Sequence, residues 1–323
     1  MCGIIGLHLK NQDLQPRLGE MLTVMLAAMA TRGPDSAGIA VYTDHSAAPG
    51  AVDQAMRYSL RCDESVDWDL LAKTMAAETG SEVTAQRLAG DSAVLASRPL
   101  ASRPLASPAL VSPALASPAP ETSFLAALRR VAPQVAVAGY GRAMAVVKDV
   151  GAPADICSRY GIPGWAGYQG IGHTRMATES AVTTAHSHPF APAADLALVH
   201  NGSFSNYATV RRRLARSGIE CETDNDSEVA ARLVASCMAQ GAGLDDALRQ
   251  VMKEMDGFYT LLVSTRTQFA VVRDSFACKP AVIAQTGDYV AMASEYQALA
   301  RLPGIADAEV FEPAPEEIYL WNR

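Results

Sequence analysis

The sequence predicts an α+β fold in which helices stack on mainly antiparallel sheets, and three features of its pattern point there. From residue 168 onward, strand-like runs at 168–174, 196–200, 257–264, 269–274, 280–285 and 289–294 are interleaved with helical runs at 204–217, 226–240 and 245–255. That order suits stacked sheet and helix layers. Several strand runs are separated by tight turn signals, which favours hairpins over a doubly wound parallel sheet. With 323 residues, 49% of them hydrophobic, the chain can bury a sizeable core without disulfide staples.

In chain order, Cys2 to Leu9 (CGIIGLHL) reads as a strand that opens at the terminus itself. Leu18, Met21, Leu22, Met25 and Met29 then fall on one face of a helix that stops at Gly33-Pro34. A second strand is expected from Gly38 to Tyr42, after which the pattern loosens into an insertion over about 44–160. Within it, 95–120 is a Pro/Ala/Ser-rich five-residue repeat beginning LASRP-LASRP-LASPA. Its regular prolines oppose both helix and central-strand pairing, so an exposed, mobile or polyproline-like loop is expected. Gly139-Tyr140-Gly141-Arg142-Ala143-Met144 imitates a dinucleotide fingerprint, but the next residues, Ala145-Val146-Val147-Lys148, read as strand where that fingerprint requires a helix.

Composition excludes several classes. The net charge of −7 argues against nucleic acid as a partner, and Arg211-Arg212-Arg213, the single basic cluster, reads as a solvated helix face. No apolar run approaches bilayer length, so no membrane association is expected. Lys10 and Asn11 interrupt the first apolar stretch, so there is no secretory signal and a cytoplasmic location is expected. The six cysteines are scattered without a CxxC pair, which suits a reducing compartment and indicates no zinc site; Cys221 and Cys278 read as core thiols. Neither a GxxxxGK[ST] phosphate loop nor a GxSxG elbow is present, which leaves nucleotide hydrolysis and serine esterase chemistry without support.

The chemistry-bearing residues begin with Cys2. Removal of Met1 would place its thiol beside its own α-amino group, whose ordinary pKa of roughly 7.7–8.0 lets it take the thiol proton and later return it to a leaving amine. A Met-Cys start is weak evidence by itself, since a thiol in a first strand is commonplace. Arg175 carries a guanidinium fork suited to a carboxylate. Asn201-Gly202 taken by itself reads as a turn ending a strand, and Asp226 as a cap of the following helix. His186-Ser187-His188 supplies two imidazoles but no supporting Cys or carboxylate spacing, so loop shaping is favoured over metal binding.

Several motifs together resemble the class II, N-terminal-nucleophile glutamine amidotransferases. They are Cys2-Gly3-Ile4-Ile5-Gly6, Arg32-Gly33-Pro34-Asp35-Ser36-Ala37-Gly38, Gly172-His173-Thr174-Arg175-Met176-Ala177-Thr178, Val199-His200-Asn201-Gly202 and Thr223-Asp224-Asn225-Asp226-Ser227-Glu228. The resemblance covers the first forty residues and nearly everything from 168 onward. It implies a four-layer αββα sandwich and a single type-2 amidotransferase domain over 2–323. It further implies Cys2 as nucleophile, Asn201 and the Gly202 N–H as oxyanion donors, Arg175 on the glutamine α-carboxylate, and Asp226, with Asp224 as fallback, on its ammonium. Arg32, Thr178 and His200 lie inside the same motifs and are carried with them as substrate-site residues. Arg273-Asp274, Lys279-Pro280 and Ala293-Ser294-Glu295 also resemble family sequence and are expected to serve packing and turns.

Finer phrases, among them Asn201-Gly202-Ser203-Phe204-Ser205-Asn206 and Ala277-Cys278-Lys279-Pro280, resemble the separate amidotransferase subunit of N-methylglutamate synthase and related glutamate-synthase-like complexes. The implied activity is hydrolysis of glutamine to glutamate and ammonia through a Cys2 thioester. Because the chain ends at Trp321-Asn322-Arg323, soon after this pattern, ammonia is expected to pass to synthase subunits on another polypeptide. Such a partner would carry FMN and iron-sulfur clusters, whereas no cofactor or metal is expected in this chain. Two alternatives stand beside this reading: a non-catalytic scaffold or glutamine-sensing subunit of the same complex, and a hydrolase of a different amide. Arg175 and Asp226 argue against the second, since together they suit a zwitterion.

Overall fold

The computed structural model describes residues 2–44, 55–99, 120–176 and 182–323. Along the chain these form β1 (Gly3–Leu9), α1 (Leu18–Ala28), β2 (Ser36–Tyr42), β3 (Met56–Arg61), α2 (Trp68–Thr79), β4 (Ser81–Arg87), β5 (Ser92–Pro99), α3 (Pro120–Val131), β6 (Ala136–Gly141), β7 (Met144–Val150), α4 (Pro153–Arg159) and β8 (Gln169–Arg175). They continue through β9 (Phe190–Ala193), β10 (Leu196–Phe204), α5 (Tyr207–Arg216), α6 (Asp226–Ala239), α7 (Leu244–Glu254), β11 (Gly257–Ser264), β12 (Gln268–Arg273), β13 (Val282–Gln285), β14 (Tyr289–Ala293), β15 (Glu309–Phe311) and β16 (Ile318–Asn322). A seven-stranded sheet runs β15-β13-β14-β1-β8-β2-β7 and a five-stranded sheet runs β16-β12-β11-β10-β9, every pairing being antiparallel.

The period of two along β1 explains how the layers stack. Ile5, Leu7 and Leu9 point outward into a cluster with Met21, Leu22 and Met25 of α1 and Ile156 of α4. Ile4, on the opposite face, joins Val199, Leu262 and Phe269 between the two sheets. Beyond the second sheet, Val210 of α5, Val229 of α6 and Leu248 of α7 pack on Leu198, Leu261 and Val272. Helices therefore cover both outer faces, and the molecule is the expected α+β, four-layer αββα sandwich. The sheets approach closely at Gly6, where a Cβ would stand 2.5 Å from Leu262 Cδ2 and 2.8 Å from Phe269 Cζ. A side chain at that position would drive β1 away from the second sheet.

Where the sequence pattern loosens, the structure is well built. A four-stranded sheet, β4-β5-β3-β6, packs against α2 and α3, with Tyr58 stacked on Phe124 at 3.9 Å and Met75, Leu95 and Leu128 buried around them. Its edge strand β4, SEVTAQR, is half exposed along its length, which is why no apolar alternation announced it. The loop expected at 95–120 is corrected at both ends. Residues 95–99 finish β5, paired with β3 and β4, and Pro120 opens α3, a position where its missing N–H is tolerated. Residues 100–119 lie outside the described residues. The discounted fingerprint at 139–144 spans the turn by which the chain passes from β6 in the four-stranded sheet to β7 in the seven-stranded one, and the Asp195 carboxylate receives the N–H groups of Arg142, Ala143 and Met144 at 2.9–3.0 Å. Cys278, expected in the core, is exposed because it lies in the connection between β12 and β13. Among the described residues, no helix is long and apolar enough to cross a membrane.

Candidate active site

Strand register gathers the singled-out residues at one end of the sandwich. Gly3 lies opposite Thr174 and Ser36 opposite Arg175, so one further step along β1 and β8 sets Cys2 beside Arg175. Cys2 is half-buried and Arg175 is buried. The Arg32 Nε donates to the Cys2 carbonyl at 3.0 Å, while its Nη1 pairs with Glu295 at 2.5 Å. Arg32 therefore braces the main chain of Cys2 in this structure. Ser294 adds a second brace: its Oγ accepts from Ile4 N–H at 3.0 Å and its own N–H donates to the Ile4 carbonyl at 2.9 Å. Ser294 and Glu295, read from the sequence as packing and turn residues, thus fix the first residues of β1.

The second sheet meets this end through β10. His173 of β8 has its Nε2 3.2 Å from the His200 carbonyl, which joins the two sheets one residue before Asn201. Asn201 is 3% exposed, and its Nδ2 has no hydrogen-bond partner among the described residues. Gly202 follows at φ 153°, where a Cβ would stand 2.0 Å from the Phe258 carbonyl and 2.9 Å from His200 Nε2, so no other residue fits here. His200 N–H donates to His188 Nδ1 at 3.2 Å, and Phe204 N–H donates to Asp226 Oδ2 at 2.8 Å. The β10–β11 register is unbroken through Gly202, so its N–H falls on that same edge, between the other two.

Asp226 is the first residue of α6 rather than its cap. Asn225 caps the helix, its side chain accepting from Ser227 N–H at 2.9 Å. Asp226 also accepts from Ser227 Oγ at 3.2 Å, and Ser227 Oγ sits 2.7 Å from His200 Nδ1, which links Asp226 to the strand carrying Asn201. Glu228 accepts the N–H groups of Glu222 and Thr223 at 2.8 and 2.7 Å and the Thr223 hydroxyl at 2.7 Å, and so shapes the loop leading into Asp226. The fallback residue Asp224 is exposed and hydrogen-bonded to His186 Nε2 at 2.7 Å. His186 and His188 face different partners, and no group of three or more His, Cys, Asp or Glu among the described residues is arranged to hold a metal. Thr178 and Met1 lie outside the described residues.

The electrostatics follow from burial. His173 stacks on His188 with ring centroids 4.0 Å apart. Burial, reinforced by the neighbouring His200 and Arg175 charges, pushes the His173 imidazole down to about 3, and burial with the His173 and His200 charges drives His188 well below its ordinary value. Burial also lowers His200, with Asp226 acting in the opposite sense. All three imidazoles are therefore neutral at physiological pH. The arrangement presents a thiol, a guanidinium, an unpartnered amide donor beside a backbone N–H, and a carboxylate, all drawn to the end where the two sheets meet. Such a set can bind an amino-acid head group and stabilise an oxyanion formed on its side chain.

Comparison with known proteins gives the same picture. A sequence profile described as a glutamine amidotransferase domain matches residues 173–301. The chain is 43% identical over 324 residues to the glutamine amidotransferase-like protein GlxB of Rhizobium meliloti (strain 1021), covering 100% of this chain and 99% of that protein. It is 31% identical over 321 residues to a putative glutamine amidotransferase of Methanothermobacter thermautotrophicus, covering 99% of each. Among solved structures, glutamine phosphoribosylpyrophosphate amidotransferase from B. subtilis superposes with a TM-score of 0.59 at 17% identity, covering 99% of this chain and 47% of that one. The last likeness is one of fold.

Proposed function

The chain belongs to the glutamine amidotransferase family, and from that premise we propose that it hydrolyses glutamine through Cys2 and hands the ammonia to a separate synthase subunit. In this reading the Arg175 guanidinium takes the α-carboxylate of glutamine and Asp226 its ammonium. The Cys2 thiolate attacks the side-chain amide carbon while its proton resides on the α-amino group exposed by loss of Met1. That proton leaves with ammonia as the C–N bond breaks, and water then cleaves the thioester to give glutamate and restore the thiol. Asn201 Nδ2 and the Gly202 N–H receive the negative charge of the tetrahedral intermediate.

The observation that carries this reading is Asn201 Nδ2, a buried donor without a partner among the described residues, on the residue before Gly202 at the end where Cys2 and Arg175 adjoin. An unpaired buried donor is costly, and a developing oxyanion is a group that would satisfy it. For the acceptor, the phrases at 201–206 and 277–280 support a glutamate-synthase-like complex making glutamate or N-methylglutamate, whose other subunits would carry FMN and iron-sulfur clusters.

Purified protein incubated with L-glutamine should release equimolar ammonia and glutamate, and its intact mass should begin at Cys2. Cys2→Ala and Asn201→Ala should both stop this. Full turnover by the Cys2→Ala protein would exclude the mechanism, whereas glutamine binding without turnover in the unaltered protein would favour the scaffold or sensing alternative. Co-purification from native cells identifies the acceptor subunits.

A further inference from the structure

Strand β9 begins only at Phe190, and its pairing with β10 reaches no further than Phe190 opposite Leu198. The next residue of β10 that faces this edge is His200, whose N–H and C=O therefore have no strand to bind among the described residues. Two side chains take the place of the missing strand. His188, just before β9, accepts the His200 N–H at its Nδ1, 3.2 Å away, and His173 of β8 sets its Nε2 3.2 Å from the His200 carbonyl. A carbonyl can only accept, so His173 must carry its proton on Nε2; a ring nitrogen that receives an N–H must be bare, so His188 carries its proton on Nε2 as well. The two rings stack at 4.0 Å and 15°, and Phe190 meets the edge of His188 at 4.9 Å, which prevents either ring from turning away.

We infer that His173 and His188 are positioning residues for the oxyanion site: together they clamp both main-chain polar groups of His200, and with them the peptide units on either side, and so aim the Asn201 amide and the Gly202 N–H that follow. The inference rests on the glutaminase reading above. Neither imidazole is assigned a contact with substrate. Their effect is directional, because a frayed β10 edge would leave the donors the freedom to swing away from the position of the developing charge. Preorganisation of that kind lowers the barrier to turnover without changing how tightly glutamine is held.

The test uses paired substitutions in the full chain. Gln at 173 keeps a donor in place of Nε2 and Asn at 188 keeps an acceptor in place of Nδ1, whereas Leu at either position keeps bulk and loses the hydrogen bond. His173→Leu and His188→Leu should lower kcat by roughly 10- to 100-fold with KM within about threefold of the unaltered protein, and His173→Gln and His188→Asn should recover most of the loss. Amide hydrogen exchange at 200–202 should accelerate by about tenfold or more in the Leu variants and be restored in the polar ones, whether or not glutamine is turned over. Leu variants that keep full kcat, a loss confined to KM, or Gln and Asn variants no better than Leu would each overturn the clamp. So would unchanged exchange at 200–202. Absence of turnover in the unaltered protein, by contrast, overturns the glutaminase reading, while the exchange comparison still decides the clamp.

Discussion

Arg32 and Glu295, 263 residues apart in the chain, meet in an ion pair of 2.5 Å beside the carbonyl of Cys2. The pair exists because β14 lies against β1, which brings the end of one strand to the start of the other. The same guanidinium holds the Cys2 carbonyl, so the carboxylate acts on the first residues of the chain at second hand. Replacing Glu295 with Gln should loosen Cys2 and reduce kcat by about tenfold, with a stability loss of about 1 kcal/mol, since one partner is 35% exposed and solvent screens the charge. Steady-state kinetics alongside urea melts check this. An unchanged kcat would remove Glu295 from the machinery.

Glu228 gives a second prediction, one of stability more than of chemistry. Burial alone would raise its carboxyl, but the N–H of Glu222, the Thr223 hydroxyl and Arg232 hold it below the ordinary carboxylate range. Glu228→Gln should lower stability by about 1–3 kcal/mol, because buried donors lose a charged acceptor. Asp226 should then be less well placed, and KM for glutamine should rise. A melt indistinguishable from that of the unaltered protein would show that the loop at 222–225 is held by other means.

The strands and helices after residue 168 were legible because their apolar periodicity is strong: the run expected at 257–264 is β11 (Gly257–Ser264), and that expected at 226–240 is α6 (Asp226–Ala239). Short edge strands were not. β15 has three residues and β9 four, too few for alternation to rise above the surrounding turns. In the site, Asn201 and Asp226 could be singled out because they sit in motifs, each chemically distinctive by side chain. Ser294, Glu295, His173 and His188 act on main-chain groups through pairings that only the folded register creates. Nothing in their local sequence separates those roles from ordinary packing.

The buried imidazoles make stability depend on pH with a definite sign. His173 ionises near 3 when folded and near its ordinary value of roughly 6.5 when unfolded, so between those limits the unfolded chain binds the extra proton. Its contribution is fully present above about pH 6.5 and is lost on acidification toward 3, by up to about 1.4 kcal/mol per pH unit. Urea midpoints between pH 7.5 and 5 should fall, and they should fall less steeply in His173→Gln, which has no titrating group there. Parallel slopes in the two proteins would mean that His173 is not held neutral by the fold.

Asn201 separates chemistry from stability most cleanly. Its Nδ2 is buried without a partner among the described residues, a state that costs roughly 1–3 kcal/mol of desolvation, so truncation to Ala removes a destabilising group. Truncation also leaves a small void, which costs a similar amount in the opposite direction. The two terms nearly cancel, and the melt of Asn201→Ala should stay within about 1 kcal/mol of the parent. Turnover should behave otherwise, falling by about 10²–10³ because a donor aimed at the developing charge is gone. KM should change little, since the amide is aimed at an oxygen that gains its charge only as the reaction proceeds. Should kcat survive while the protein unfolds more readily, the amide would be a packing group and the oxyanion would have to be held elsewhere.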